Sequence, residues 1–192
     1  MSEPAGLLLA AGSGTRFGAN KLLVPVDDGV PMAVCAARTL YAALPRSAVV
    51  VQSADAQLSQ LLAHAGLEIV PCASAALGMG ASLACGVAAL HEASGWVVAL
   101  ADMPFVRQAT FAAIVGALRD GAAIAVPRYR GQRGHPVGFS REFREALLAL
   151  NADIGGRDII AVNVGRVTWI DVDDPGIVRD IDSPTDVEES RR

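Results

Sequence analysis

Short apolar runs alternate with segments of helical periodicity along most of this chain of 192 residues. Each run has the length of a β-strand, and the segments between the runs have the length of a helix. The runs lie near residues 5–10, 48–52, 67–71, 96–101 and 122–126, and the helical segments lie near 31–44, 55–65, 80–93 and 109–119. This alternation predicts a parallel sheet with helices on both faces.

The pattern changes after residue 127. Residues 128–136 are cationic and rich in turn-forming residues, which predicts a hairpin or a lid. We expect a helix near 142–150, a loop at 151–157 and a strand at 167–172. Because no repeat, linker or low-complexity segment interrupts the sequence, we expect one domain over residues 1–192, with an α/β fold in three layers.

Composition narrows the classes of partner. Hydrophobic residues make up 52% of the chain and aromatic residues only 5%, so the core is expected to consist of Ala, Val and Leu. A net charge of −4 without a basic run argues against a nucleic-acid surface. No apolar stretch approaches the roughly 20 residues of a membrane helix, and the first residues lack the features of a signal peptide. We therefore expect a cytoplasmic protein without a membrane partner.

The first apolar run ends in a glycine-rich loop that carries two cations. Gly12 and Gly14 lie in this loop, and Arg16 and Lys21 follow. Glycine lets backbone N–H groups approach an anion closely, so the pattern predicts a site for nucleotide phosphates. The loop lacks the ending of a Walker A motif, and Phe17 stands where the Rossmann pattern has its third glycine. A plain turn between a strand and a helix is the alternative.

Two carboxylates are candidate metal ligands. Asp102 directly follows the run at 96–101, and Asp182 lies in a second acidic turn near the C-terminus. Carboxylate oxygens together with substrate phosphates are the ligands that Mg²⁺ prefers. Each residue has a plainer alternative, since Asp102 could belong to an ordinary turn and Asp182 could cap a last helix from Ser183.

Three further segments are candidates for binding polar or anionic groups. In residues 78–83, Gly80 and Ser82 begin a helix whose free N–H groups could meet a nucleotide. Arg133 and His135 could reach an anionic acceptor, as could the loop at 153–157. The alternatives are an ordinary helix start, a plain turn residue at His135, and a helix end with charges that face solvent.

Taken in this order, the motifs resemble those of the molybdenum-cofactor nucleotidyltransferases, particularly the branch that makes molybdopterin cytosine dinucleotide. The resemblance rests on residues 9–21, 78–83, 102–104, 133–136, 153–157 and 180–186, which cover nearly the whole chain. The first and third motifs are common to many nucleotidyltransferases, whereas residues 78–83 and 134–136 point to the narrower branch. Residues 14–17 depart from the usual pattern and are also close to sugar nucleotidyltransferases.

The resemblance implies a three-layer nucleotidyltransferase fold with a mostly parallel, Rossmann-like sheet. It implies Mg²⁺-dependent transfer of a nucleoside monophosphate from an NTP to the terminal phosphate of molybdopterin or the molybdenum cofactor, with release of pyrophosphate. CTP is the expected nucleotide, because cytidylyltransferases of this family tend to carry the sequence found at Ala10-Ala11-Gly12. A molybdoenzyme of the xanthine dehydrogenase type, in its apo form, is the expected recipient of the product.

The resemblance also implies roles for individual residues. The catalytic residues would be Arg16, Lys21 and Asp102, with Asp102 and Asp182 as metal ligands. The acceptor would be bound by Arg133, His135, Asp153 and Arg157. The nucleotide would be bound by Leu9, Ala10, Ala11, Gly12, Ser13, Gly14, Arg16, Lys21, Gly80 and Ser82.

Three alternative functions stay open at this stage. The enzyme could use GTP or ATP instead of CTP. It could transfer the nucleotide to a sugar or polyol phosphate. It could also be a non-catalytic module that binds the cofactor and delivers it to a molybdoenzyme.

Overall fold

The structure, a computed structural model, describes residues 3–12, 20–53, 55–151, 155–183 and 185–187. Within these residues, a mostly parallel eight-stranded sheet forms the centre of the molecule, and a two-stranded ribbon lies apart from it. The strands are β1 (Ala5–Leu9), β2 (Pro25–Asp27), β3 (Val30–Pro31), β4 (Ser47–Gln52), β5 (Glu68–Cys72), β6 (Gly95–Leu100), β7 (Ile124–Tyr129), β8 (Gln132–Arg133), β9 (Val137–Ser140) and β10 (Val167–Asp171). The ribbon consists of β2 and β3.

The strand order of the main sheet is β10-β7-β9-β6-β1-β4-β5, with β8 paired to β7. The pairs that β1 forms with β4 and β6 are parallel, as are β4 with β5 and β7 with β10. Only β8 and β9 run antiparallel to their neighbours in the described sheet. The carboxyl ends of β1, β4 and β6 therefore meet at one edge, where ligands bind in sheets of this kind.

Helices cover both faces of the sheet, as the sequence predicts. They are α1 (Met32–Ala43), α2 (Ala56–His64), α3 (Met79–Ala89), α4 (Gln108–Arg119), α5 (Arg144–Leu148) and α6 (Gly156–Val162). One core lies between the sheet and α1, α2 and α4, and the other lies between the sheet and α3, α5 and α6. None of the helices in the described ranges has the length and apolar character that crossing a membrane requires.

The period of two along the strands explains the two cores. In β1, Leu8 packs into the first core, whereas Leu7 and Leu9 pack into the second. Successive side chains of a strand point to opposite faces of the sheet, so a strand that is apolar throughout is buried on both faces. The fold is therefore the predicted three-layer α/β arrangement.

In the last third of the chain, one prediction needs correction and one strand was not predicted. The loop predicted at 151–157 is wrong at its end, because α6 begins at Gly156. Paired glycines and the charged Arg157 and Asp158 obscure a helix whose apolar side, Ile159 and Ile160, is buried. The antiparallel strand β9 was not predicted, since it directly follows the turn-like residues 134–136. The hairpin predicted in 128–136 is confirmed by β7 and β8.

The residues from 173 to 183, which we term the C-terminal strap, cross the end of the sheet near the predicted site. The buried carboxylate of Asp174 accepts hydrogen bonds from the backbone N–H of Arg107 (2.8 Å) and from Oγ1 of Thr110 (2.6 Å). These bonds cap the first turn of α4 from outside the helix. Further along, the N–H of Ile181 donates to the carbonyl of Asp102 (3.0 Å). The strap therefore brings Asp182 to the end of β6.

Candidate active site

A cavity of about 540 Å³ lies at the carboxyl ends of β1, β4 and β6. The predicted nucleotide-binding residues in its lining are Leu9, Ala10, Ala11, Gly12, Lys21 and Ser82. Asp102 also lines this cavity, where β6 ends. We term this space the nucleotide cavity.

Gln52 is a residue of the nucleotide cavity that the sequence analysis missed. It ends β4, and its Nε2 donates a hydrogen bond to the carbonyl of Ala11 (2.9 Å). This bond holds the backbone of the first loop against the neighbouring strand. A polar residue directly after the apolar run at 48–51 was the available indication, because such residues face the ligand edge of a parallel sheet.

Lys21 lies at the centre of the site. Its ammonium donates to Oδ2 of Asp102 (3.0 Å), to Oδ1 of Asp182 (2.7 Å) and to the carbonyl of Ile181 (3.2 Å). The Lys21 side chain is only 12% exposed, whereas those of Asp102 and Asp182 are 26% and 52% exposed. The structure thus brings together one predicted catalytic cation and both predicted metal ligands, which lie 80 residues apart in sequence.

The electrostatics of this cluster keep Lys21 charged. Partial burial disfavours the ammonium, but the hydrogen bonds and negative charges of Asp182 and Asp102 outweigh burial and raise the pKa of Lys21. Within the described residues, no group of three acidic, histidine or cysteine side chains forms a metal site. The candidate cation site is the set of three oxygens that Lys21 contacts, namely two carboxylate oxygens and the carbonyl of Ile181.

The alternative role of Asp182 as a helix cap is filled by another residue. Oγ of Ser183 accepts a hydrogen bond from the N–H of Asp186 (3.3 Å), and Oδ2 of Asp186 accepts from the N–H of Ser183 (2.7 Å). This reciprocal pair is a capping box. Ser183 and Asp186 satisfy these donors, whereas the carboxylate of Asp182 accepts a hydrogen bond from Nζ of Lys21.

The start of α3 separates the nucleotide cavity from a second cavity. Ser82 lines the nucleotide cavity, while Gly80 is buried in the first turn of α3 and does not line the cavity. Gly78 precedes the helix with φ +130°, a conformation that favours glycine. Met79, which the sequence analysis did not select, is 44% exposed and lines both cavities.

The second cavity has a volume of about 380 Å³ and contains three of the predicted acceptor-binding residues, Arg133, His135 and Arg157. We term it the acceptor cavity. Aliphatic and aromatic side chains form most of its lining, which includes Leu83, Val98, Val126, Val137, Phe139 and Ile160. Leu9, Met79 and Leu100 line both cavities, so the two spaces adjoin.

His135 is a neutral residue of the acceptor cavity. Burial disfavours the imidazolium and lowers the pKa of His135, although the backbone of Val98 and the charge of Asp102 act in the opposite direction. Nδ1 is buried without a hydrogen-bond partner among the described residues. A neutral imidazole offers a polar contact but no charge to an anion, so the positive charge at this cavity comes from arginine.

The lowered pKa predicts a pH dependence of stability. Below pH 6.5 the unfolded chain protonates His135 while the folded chain does not, so the free energy of unfolding falls as pH decreases through this range. We expect His135→Gln to reduce the loss of unfolding free energy that occurs as the pH decreases. Urea unfolding between pH 7.5 and pH 5 measures it, with the exposed His64→Gln as control. An unchanged pH profile in His135→Gln would show that the pKa of His135 is not lowered by folding.

Some predicted site residues lie outside the described residues. These are Ser13, Gly14 and Arg16 of the first loop, and Asp153 of the second acceptor segment. Their roles stay predictions.

Comparison with known proteins gives a consistent set of relatives. The family model of the MobA-like NTP transferase domain matches residues 6–167. The chain is 32% identical over 190 residues to nicotine blue oxidoreductase of Paenarthrobacter nicotinovorans, covering 93% of this chain and 91% of that protein. It is 28% identical over 197 residues to purine catabolism protein PucB of Bacillus subtilis (strain 168), covering 97% and 95% of the two chains.

Two solved structures are also similar to this chain over almost its whole length. The crystal structure of Rv0371c from Mycobacterium tuberculosis H37Rv is similar with a TM-score of 0.83 and 26% identity, covering 98% of this chain and 97% of that chain. The complex of the same protein with manganese is similar with a TM-score of 0.80 and 25% identity, covering 98% of both chains.

Proposed function

Because this chain belongs to the family of MobA-like NTP transferases, we propose that it transfers cytidine monophosphate from CTP to the terminal phosphate of molybdopterin. An oxygen of that phosphate attacks the α-phosphorus of CTP and forms a new P–O bond. The bond between the α- and β-phosphates breaks, and pyrophosphate leaves. The attacking oxygen is already ionised near neutral pH, so the reaction needs no general base.

One observation supports this proposal most strongly: two cavities with different linings adjoin near the cluster of Lys21, Asp102 and Asp182. Ala11 and Gly12, at the start of the first loop, line the nucleotide cavity, and the acceptor cavity has an apolar lining with two arginines. Lys21 and Asp102 line the nucleotide cavity close to the residues that both cavities share. Two anions would thus be held next to each other, and this positioning is the main task in phosphoryl transfer.

The proposed cation site fits a divalent metal. Two carboxylates and a carbonyl already converge on one positive charge, the ammonium of Lys21, and all three are hard oxygen donors. Asp102 and Asp182 would hold the metal, and Mg²⁺ bound there would supply positive charge to the reacting phosphates. The manganese complex of Rv0371c supports a divalent cation in this family.

Lys21 and Arg16 are proposed to stabilise the negative charge that develops on the phosphates. Lys21 reaches the cavity from the short 3-10 helix Lys21–Leu23. Loop N–H groups near Gly12 would contribute further donors.

The lining of the acceptor cavity favours molybdopterin over a sugar or polyol phosphate. Flat faces of a fused ring system can pack on Val98, Val137 and Ile160, whereas the hydroxyl groups of a sugar need polar partners. Arg133 and Arg157 would bind the phosphate of the acceptor. The product would pass to a molybdoenzyme of the xanthine dehydrogenase type.

The proposal is tested by comparing acceptors. Purified protein is incubated with CTP, Mg²⁺ and either molybdopterin, a sugar 1-phosphate or a polyol phosphate, and pyrophosphate is measured. We expect pyrophosphate to be released only when molybdopterin is the acceptor. Pyrophosphate release with a sugar or polyol phosphate instead would identify that class as the acceptor. No pyrophosphate release with any of the acceptors would favour the non-catalytic module.

The choice of CTP leads to a prediction at Ala11. Ala11 lines the nucleotide cavity, and we expect its methyl group to limit the space for the base, which favours a pyrimidine over a purine. We expect Ala11→Gly to reduce the preference for CTP over GTP by about tenfold, without reversing it, because one methyl group in a pocket discriminates by roughly 1–3 kcal/mol.

Competition between equal concentrations of CTP, GTP and ATP measures this preference. Ala63→Gly is the matched control, because it removes the same methyl group from an exposed position of α2 that lines neither cavity. A preference of the unmodified protein for GTP or ATP would overturn the assignment of CTP.

One observation favours a second candidate function. The relative with 32% identity is named as an oxidoreductase, so electron transfer to a heteroaromatic compound is a competing activity. Reduced nicotinamide cofactor and an aromatic acceptor, supplied without CTP, test this candidate. Oxidation of the nicotinamide without pyrophosphate release in the first assay would favour the oxidoreductase.

A further inference from the structure

Lys21 is the only lysine among the 16 lysine and arginine residues of the chain. This one lysine donates hydrogen bonds to both carboxylates that are proposed to hold the divalent cation. The same ammonium also bonds the carbonyl of Ile181, which is the third oxygen of the candidate site. In the described structure, the ammonium therefore occupies the position toward which a cation would be drawn.

The ammonium of lysine and a divalent cation bind to the same oxygens. An ammonium nitrogen approaches a carboxylate oxygen to about 2.7–2.9 Å, and Mg²⁺ approaches it to about 2.0–2.1 Å. Either cation uses the lone pairs that Asp102 and Asp182 now direct at Lys21. A second positive charge between the same oxygens would be repelled by the first.

The backbone at Lys21 is anchored next to the cluster. The N–H of Leu22 donates to Oδ1 of Asn20 (3.1 Å), and Asn20 in turn hydrogen-bonds Asp55. The side chain of Leu22 is buried in the first core. Because this backbone is held, an exchange of partners by Lys21 would come from rotation within its four-carbon stem.

We propose that Lys21 and the divalent cation compete for Asp102 and Asp182, so that binding of the cation releases the lysine to the nucleotide phosphates. Before the cation binds, Lys21 offsets the repulsion between the two carboxylates and keeps them close together. Afterwards its ammonium is available to the phosphates in the same cavity. The identity of the cation rests on the proposed function.

The competition predicts that removing the lysine tightens cation binding when no nucleotide is present. We expect Lys21→Met to bind Mn²⁺ about tenfold more tightly than the unmodified protein, because a charge-assisted hydrogen bond no longer opposes the metal. Lys21→Arg keeps a cation at this position and is expected to bind Mn²⁺ as the unmodified protein does.

Free Mn²⁺ is measured by electron paramagnetic resonance during titration of the full chain. Arg119→Met is the matched control, since it removes the same unit of charge from an exposed ion pair with Glu3. Lys21→Gln gives the same comparison if methionine impairs folding, which thermal melting checks. Adding Asp182→Asn to Lys21→Met is expected to abolish the gain.

The outcomes separate this inference from the proposed function. Mn²⁺ binding by the unmodified protein, with equal or weaker binding by Lys21→Met and Lys21→Gln, would overturn the competition and leave the proposed function intact. An equal gain in Arg119→Met would also overturn it, because net charge would then be the cause. If no variant binds Mn²⁺, both the competition and the proposed metal site are wrong.

Discussion

Asp102→Asn is expected to lower the rate of nucleotidyl transfer by about 10²–10³-fold while leaving the fold intact. Asn has the shape of Asp but no charge, so it weakens the proposed metal site and the bond to Lys21 together. Losing one group that stabilises charge in a transition state commonly has an effect of this size. The neighbours Ala101 and Met103 are buried and keep the backbone in place.

Pyrophosphate release at saturating CTP and acceptor measures this loss, and thermal melting checks the fold. The control is Asp120→Asn, which removes the same charge from an exposed position at the end of α4. A rate close to that of the unmodified protein, at any Mg²⁺ concentration, would remove Asp102 from the catalytic residues.

Gly134→Ala is expected to destabilise the protein by about 1–3 kcal/mol, which lowers the melting temperature by about 2–12 °C. A Cβ at residue 134 would lie 2.0 Å from the carbonyl oxygen of Ile177. That oxygen accepts a hydrogen bond from the N–H of His135 (2.9 Å) and belongs to the C-terminal strap. The clash would push the strap away from the sheet, and Asp182 with it.

Gly116→Ala is the control, and its expected effect on stability is opposite to that of Gly134→Ala. A Cβ at residue 116 meets no described atom within 4 Å, and Gly116 lies inside α4. Alanine is favoured over glycine in a helix by roughly 0.5–1 kcal/mol, so this variant is expected to be more stable. Equal melting temperatures for the Gly134→Ala and Gly116→Ala proteins would contradict the packing of the strap against Gly134.

The parallel core of the fold is predictable from the sequence because its strands are buried on both faces. The run at 48–52, for example, is apolar up to Gln52 and needs no partner to be recognised. The antiparallel β9 is different, since Val137–Ser140 contains a glycine and directly follows a proline. Its place between β6 and β7 depends on long-range pairing, which local periodicity does not carry.

The candidate site also has features that the sequence predicts and features that depend on long-range packing. Lys21, Asp102 and Asp182 are each recognisable from a local motif next to a strand end or in an acidic turn. Their direct contact depends on the C-terminal strap, which reaches Asp102 through Ile181. Gln52 and Met79 gain their positions only when β4 and α3 pack beside β1. The sequence therefore indicates the residue types of the site more fully than their arrangement.

The fate of the α-phosphate of CTP distinguishes nucleotidyl transfer from binding without reaction. Purified protein is incubated with molybdopterin, Mg²⁺ and CTP labelled at the α-phosphate, and the products are separated and identified by mass spectrometry. We expect the label to move into molybdopterin cytosine dinucleotide, with one pyrophosphate released for each dinucleotide formed. Binding of CTP and molybdopterin with no transfer of the label to the acceptor would contradict it.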